Sequence, residues 1–150
     1  MTYSKEVMKN FMHPKNMGEI KDADAVGKLG NPQCGDIMWV YIKVGKNKKG
    51  QEILKDVKFK TFGCAAAIAT SSMITQLAKG KKLEEAEKIT YNDIKNELNG
   101  LPPEKIHCSV MADRVLREAI KNYREKEIAS TLSPSEKREA IKNYREKNDN

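Results

Sequence analysis

The chain has 150 residues, of which 39% are hydrophobic and 33% charged, and it carries a formal charge of +7. That length suits one domain with a core of its own and leaves little for a second. The longest apolar run, around Ala65 to Ala69, is far too short to cross a bilayer, and no basic stretch followed by an apolar core opens the chain, so a cytoplasmic protein without a membrane role is expected.

Ser4 can cap a first helix in which Val7, Met8 and Phe11 share one face, and His13-Pro14 should end it. Residues 15–30 are polar and punctuated by glycine, with a short strand expected near Val26 to Leu29. Asn31-Pro32 signals a turn into Gln33-Cys34-Gly35-Asp36. Met38, Val40, Ile42 and Val44 then alternate with Trp39, Tyr41 and Lys43, which reads as a half-buried strand. A charged turn over 45–50 leads to a second strand over about 53–62, with Val57, Phe59 and Thr61 on one face and Lys58 and Lys60 on the other. The two should pair antiparallel. The dense basic patch Lys46-Asn47-Lys48-Lys49 falls in that turn, where a solvated turn is the simpler reading, so no nucleic-acid partner is expected.

Gly63-Cys64 breaks the second strand. Residues 65–79 form an alanine-rich helix with Ala66, Ala69, Met73 and Leu77 on one stripe. A short helix is expected near Leu83 to Lys88, and another from the Thr90 cap, burying Ile94 and Leu98 and stopping at Asn99-Gly100. Leu101-Pro102-Pro103 reads as a rigid extended link. It delivers Glu104 to Cys108 to the start of a long helix striped with Met111, Val115, Leu116, Ala119, Ile120 and Tyr123. The fold class is therefore α+β: a small antiparallel sheet of about three strands, helices packed mainly on one face, and a C-terminal helical tail.

The tail contains a repeat. Residues 117–126 and 138–147 both read REAIKNYREK, and Ser133-Pro134 between them looks like a cap with a first-turn proline. The chain divides on this reading into a domain over 1–126 and a charged, mostly solvated helical extension over 127–150.

Three cysteines, Cys34, Cys64 and Cys108, are too few and odd in number for a disulfide framework. Each sits where an element begins or ends. A helix N-terminus favours a thiolate through its unpaired N–H groups, and Cys64 and Cys108 both stand at one. Separations of 30 and 44 positions match no short zinc-finger or ferredoxin spacing, so three small buried side chains are the competing reading. Asp36 and His107, each within two residues of a cysteine, can each supply a fourth ligand, though a turn-capping carboxylate and a surface histidine are the plainer alternatives.

These segments resemble the iron–sulfur cluster assembly scaffold family, the IscU type and the N-terminal domain of NifU. The likeness runs from about Tyr3 to Lys126. It is carried by the opening helix with its His13-Pro14-Lys15-Asn16 turn, by Gly30 to Asp36, by Phe59 to Ala69 and by Leu101 to Ser109. The resemblance implies Cys34, Cys64 and Cys108 as cluster ligands, Asp36 and His107 as alternative fourth ligands, and Lys105 as a polar neighbour. It also implies sulfur received as persulfide from a cysteine desulfurase, with Cys108 as the acceptor, and iron collected into a [2Fe–2S] cluster that passes to apo-proteins. Zinc is an alternative occupant of the cluster-free form. Glu104 stands where bacterial relatives have valine in the segment read by a dedicated chaperone, which speaks against that partner. A homodimer is compatible with the sequence.

A scaffold must hold a cluster and also lose it. Replacing one thiolate by a harder carboxylate weakens the grip on iron, which is the role expected of Asp36. The rival reading is a zinc-dependent sulfurtransferase of the SufU type on the same four positions.

Overall fold

The computed structural model describes residues 3–31 and 35–148, with the backbone alone at 31 and 107–109. Its sheet has three antiparallel strands in the order β1 (Ala25–Asn31), β2 (Asp36–Lys46) and β3 (Glu52–Phe62). Around it stand α1 (Lys5–Met12), α2 (Ala65–Ala78), α3 (Leu83–Ala86), α4 (Tyr91–Glu97), α5 (Ile106–Ala129) and α6 (Pro134–Asn148). The α+β architecture with a C-terminal helix is the one the patterning predicted. Among the described residues, no helix is long and apolar enough to cross a membrane.

Alternation fixes the sheet's two faces. Met38, Val40, Ile42, Val57 and Phe59 are fully buried, while Trp39, Tyr41 and Lys58 on the opposite face are half-buried. Val44 departs from the expected inward set. A register shift between Lys43 and Val44 puts Val44 opposite Leu54; Leu54 is then fully buried and Val44 only half so. The β2–β3 turn is shaped by Asn47, whose Oδ1 accepts from the backbone N–H groups of Lys49 and Gln51, each at 2.9 Å.

Helix α2 is the centre of the molecule rather than a one-sided helix. Ten of its fourteen residues are buried, while Leu77, expected on the buried stripe, is only half-buried. It packs against β3, α1, α4 and α5 at once, so a single stripe underestimates what it must bury. Its buried hydroxyls are satisfied by back-bonding: Thr70 Oγ1 donates to Ala66 O at 2.8 Å and Ser71 Oγ to Ala67 O at 2.7 Å.

Ser4 caps α1, accepting from the Val7 N–H at 3.0 Å. The apolar face expected on α1 is corrected. Val7 is buried, but Met8 is 41% exposed, and the second buried residue is Asn10. Asn10 Oδ1 accepts from Ser72 Oγ at 2.7 Å and Gln76 Nε2 at 2.8 Å, and its Nδ2 donates to Glu6 O. Because α2 offers hydroxyls there, a buried amide suits the α1–α2 seam better than an apolar side chain.

Thr90 and Asp93 close a full capping box on α4, and Asn99 and Gly100, both at positive φ, end it. The link after it is extended only through Pro102; Pro103–Lys105 form one 3₁₀ turn that runs into α5. All six residues expected on the α5 stripe are buried. The helix lies so close to β1 that a Cβ on Gly27 would stand 2.4 Å from Val115 O and 2.7 Å from Ala119 N. Only glycine permits that approach. After α5, Ser133 caps α6 by accepting from the Glu136 N–H at 3.3 Å. α6 buries no residue fully and is tied to α5 by Arg145, whose Nε and Nη2 donate to the Glu125 carboxylate at 2.7 and 3.0 Å.

Candidate metal centre

The strand ends at one edge of the sheet bring two candidate ligands together. Asp36 is the first residue of β2 and faces the helices, 6% exposed. Its neighbour Ile37 pairs with Phe62, the last residue of β3, so the chain leaving β3 must turn beside Asp36. Thr61 Oγ1 closes this end of the ladder by donating to Ile37 O at 2.7 Å. The turn is Gly63-Cys64. Cys64 occupies the N-cap position of α2, in extended geometry at φ −75° and ψ 175°, with no side-chain capping bond. Its Sγ lies 4.0 Å from Asp36 Oδ2. The thiol and the carboxylate therefore face each other at the start of a buried helix, where unpaired backbone N–H groups favour negative charge.

Gly63 sets this spacing. A Cβ there would come within 2.8 Å of Ala67 Cβ and 3.1 Å of Asp36 Cγ. The sequence marked Gly63 only as a strand breaker; its fit against Asp36 follows from the sheet register, which no local pattern encodes.

α5 approaches the same edge. Lys126 Nζ donates to Asp24 O at 3.4 Å and Asn122 Nδ2 to Val26 O at 2.9 Å, and Gly27 sits over Val115 and Ala119. Moving up β1 toward Asn31 thus means moving back along α5 toward its first turn, which carries His107 and Cys108. Lys105, half-buried, stands in the 3₁₀ turn immediately before that helix. Cys34 lies outside the described residues, in the segment joining Asn31 to Asp36, which pair directly across β1 and β2. The side chains of His107 and Cys108 also lie outside the described set. Cys64 and Asp36 are the two candidate ligands that the described side chains bring into contact.

On the opposite face, this end of the sheet is partly apolar and partly cationic. Phe62 is 65% exposed and meets the Trp39 ring edge-on, with centroids 5.9 Å apart and planes at 79°. Lys28 and Lys60 place their ammonium groups 5.4 and 5.8 Å from the Trp39 centroid. Their register explains the clamp, because Lys28, Trp39 and Lys60 are direct neighbours across the three strands. Alternation predicts Trp39 and Lys60 at outward positions, and nothing local to either residue marks the cation–aromatic contact.

Beyond the site, Asp113 of α5 is 5% exposed, and its Oδ1 has no hydrogen-bond partner among the described residues. Burial pushes its carboxyl above the usual carboxylate range, partly opposed by Arg117, whose Nη1 donates to Oδ2 at 3.0 Å.

Residues 2–131 match the family described as NifU-like N terminal domain. The chain is 54% identical over 124 residues to iron-sulfur cluster assembly scaffold protein IscU 1 of Archaeoglobus fulgidus, covering 83% of this chain and 78% of that one. It is 47% identical over 131 residues to the scaffold protein IscU of Buchnera aphidicola, covering 85% of this chain and 99% of that one. A solved structure from Fervidobacterium islandicum, described as a candidate scaffold for the SUF system, shares the fold at a TM-score of 0.61 with 24% identity, over 79% of this chain and 96% of that one. The chain belongs to the NifU-like N-terminal domain family.

Proposed function

We propose that this protein is a scaffold on which an iron–sulfur cluster is assembled and from which it is handed to apo-proteins, rather than an enzyme. The observation that carries the reading is the meeting of Cys64 and buried Asp36 at the sheet edge toward which the first turn of α5 points. The IscU relatives, named as scaffold proteins, support it.

In this reading Cys34, Cys64 and Cys108 hold iron through thiolates, with Asp36 as the fourth ligand and His107 as its alternate. Thiolates suit iron; a carboxylate in the fourth place weakens the grip and eases release. Sulfur arrives from a cysteine desulfurase. The Cys108 thiolate attacks the terminal sulfur of the donor's persulfide, a new S–S bond forms at Cys108, and the donor cysteine leaves as thiolate. Lys105 supplies positive charge beside the acceptor, and exposed Phe62 with Lys28 and Lys60 offers an apolar and cationic footing for an acidic partner. The cluster formed is of the [2Fe–2S] type. The scaffold domain covers residues 1–126, with 127–150 as an extension.

Anaerobic reconstitution with iron and sulfide tests this. The expected product is a coloured, labile cluster that moves to an apo-acceptor; a zinc-dependent sulfurtransferase would give none. Asp36→Ala should slow that transfer, and an unchanged rate removes Asp36 from the release step. Mass spectrometry after reaction with a desulfurase should find the persulfide on Cys108.

A further inference from the structure

Helix α6 lies beyond the residues matched by the family, and it completes a cleft that the scaffold reading does not use. The cleft is open, about 740 Å³ in volume, and lies between α5 and α6. That volume is in the range of small-molecule sites, roughly 300–1,000 Å³.

Its floor is a row of cations on one face of α5: Arg114, Arg117, Lys121 and Arg124. Spacings of three, four and three residues align them over about 15 Å of helix. Neighbouring like charges on a helix repel, a cost offset in part by the Asp113 and Glu87 carboxylates. Arg117 and Arg124 are held in place by neighbouring groups. Arg117 Nη1 donates to Asp113 Oδ2 at 3.0 Å and to Ile89 O at 3.2 Å, and Arg124 pairs with Glu87. A guanidinium has five N–H donors, so these bonds leave capacity for more. Lys88 adds a fifth cation, against the carboxylates of Glu87 and Glu118. Leu29 on the β1 side and Tyr144 on α6 give the cleft an apolar and an aromatic wall.

We propose that this cleft binds an organic polyphosphate of the nucleotide type. Arg114, Arg117 and Lys121 take the phosphates through charge-assisted hydrogen bonds, and Tyr144 takes the flat base. Arg114, the nearest of the three cations, is six residues, or about 9 Å along α5, from Cys108. The cleft depends on α6 and does not rest on cluster assembly.

Fluorescence titration of the full chain with a fluorescent ATP analogue, and calorimetric titration with ATP and with tripolyphosphate at about 0.15 M salt, test the proposal. Saturable one-to-one binding of ATP is expected. Arg114→Ala and Lys121→Ala should each weaken it about tenfold. Tyr144→Ala should weaken ATP but not tripolyphosphate. Lys142→Ala, on α6 outside the cleft, should change nothing, and circular dichroism on each variant checks that it is folded. Absence of saturable binding at millimolar ATP would overturn the proposal, as would an equal loss in Lys142→Ala. Tripolyphosphate binding as tightly as ATP, with ATP indifferent to Tyr144→Ala, would overturn the nucleotide assignment.

Discussion

Replacing Gly63 by alanine tests how tightly the candidate site is built. The new Cβ would lie 2.8 Å from Ala67 Cβ and 3.1 Å from Asp36 Cγ, both closer than carbon atoms normally pack. Neither neighbour is a flexible chain end: one is on the first turns of α2 and the other is buried at the head of β2. Overpacking of this kind costs about 1–3 kcal/mol. Alanine also restricts the unfolded chain, which returns roughly 0.4–1 kcal/mol. The net expectation is a loss of about 0.5–2 kcal/mol, or a fall of roughly 1–8 °C in Tm for a chain of this size. Thermal and urea unfolding of the cluster-free protein measure it. A double-mutant cycle with Asp36→Ala then separates the two contacts: with the carboxylate gone, Gly63→Ala should cost visibly less, leaving the Ala67 contact alone. If Gly63→Ala has no effect on stability, or costs as much with Asp36 as without it, then Gly63 does not set the Asp36 position.

Gly27→Ala should destabilise more than Gly63→Ala, because its Cβ would meet backbone atoms of α5 at 2.4 and 2.7 Å; urea unfolding of both variants compares them. Asn10→Ala strips the acceptor from Ser72 and Gln76 and should cost about 1–3 kcal/mol by the same measurement. Asp113 provides a pH test. Its folded carboxyl is raised mainly by burial, so its contribution is most favourable below the ordinary value of 3.8 and is lost as pH rises through the folded pKa. Asp113→Asn should therefore gain stability relative to the parent as pH rises from about 4 to 7, and a flat difference across urea titrations would refute it. Arg145→Ala breaks a two-bond pair whose Glu125 side chain is only 12% exposed, so it should cost about 1 kcal/mol in urea unfolding and speed proteolysis within 134–148.

Strands and helices were legible because their patterns are local. The alternation at Met38 to Ile42, the Thr90 cap and the α5 stripe each need only neighbouring residues to be read. What escaped was set by partners distant in the chain. Asn10 is buried because α2, more than sixty residues later, presents Ser72 and Gln76 to it. Leu54 turns inward because the ladder slips at Lys43/Val44. At the candidate site, the sequence offered Cys64 and Asp36 among its candidate ligands but could not reveal that the Ile37–Phe62 pairing makes them neighbours.

The two copies of REAIKNYREK give the molecule an internal control for what tertiary packing adds to a helix. In the first copy Ala119, Ile120 and Tyr123 are buried, Tyr123 bonded to Glu52; in the second, Ala140, Ile141 and Tyr144 carry the same letters only half-covered. Intrinsic helix propensity is the same in both. Any gap in amide exchange between Ile120 and Ile141 would thus measure the surroundings, with the first copy protected to the level of global unfolding and the second opening on its own.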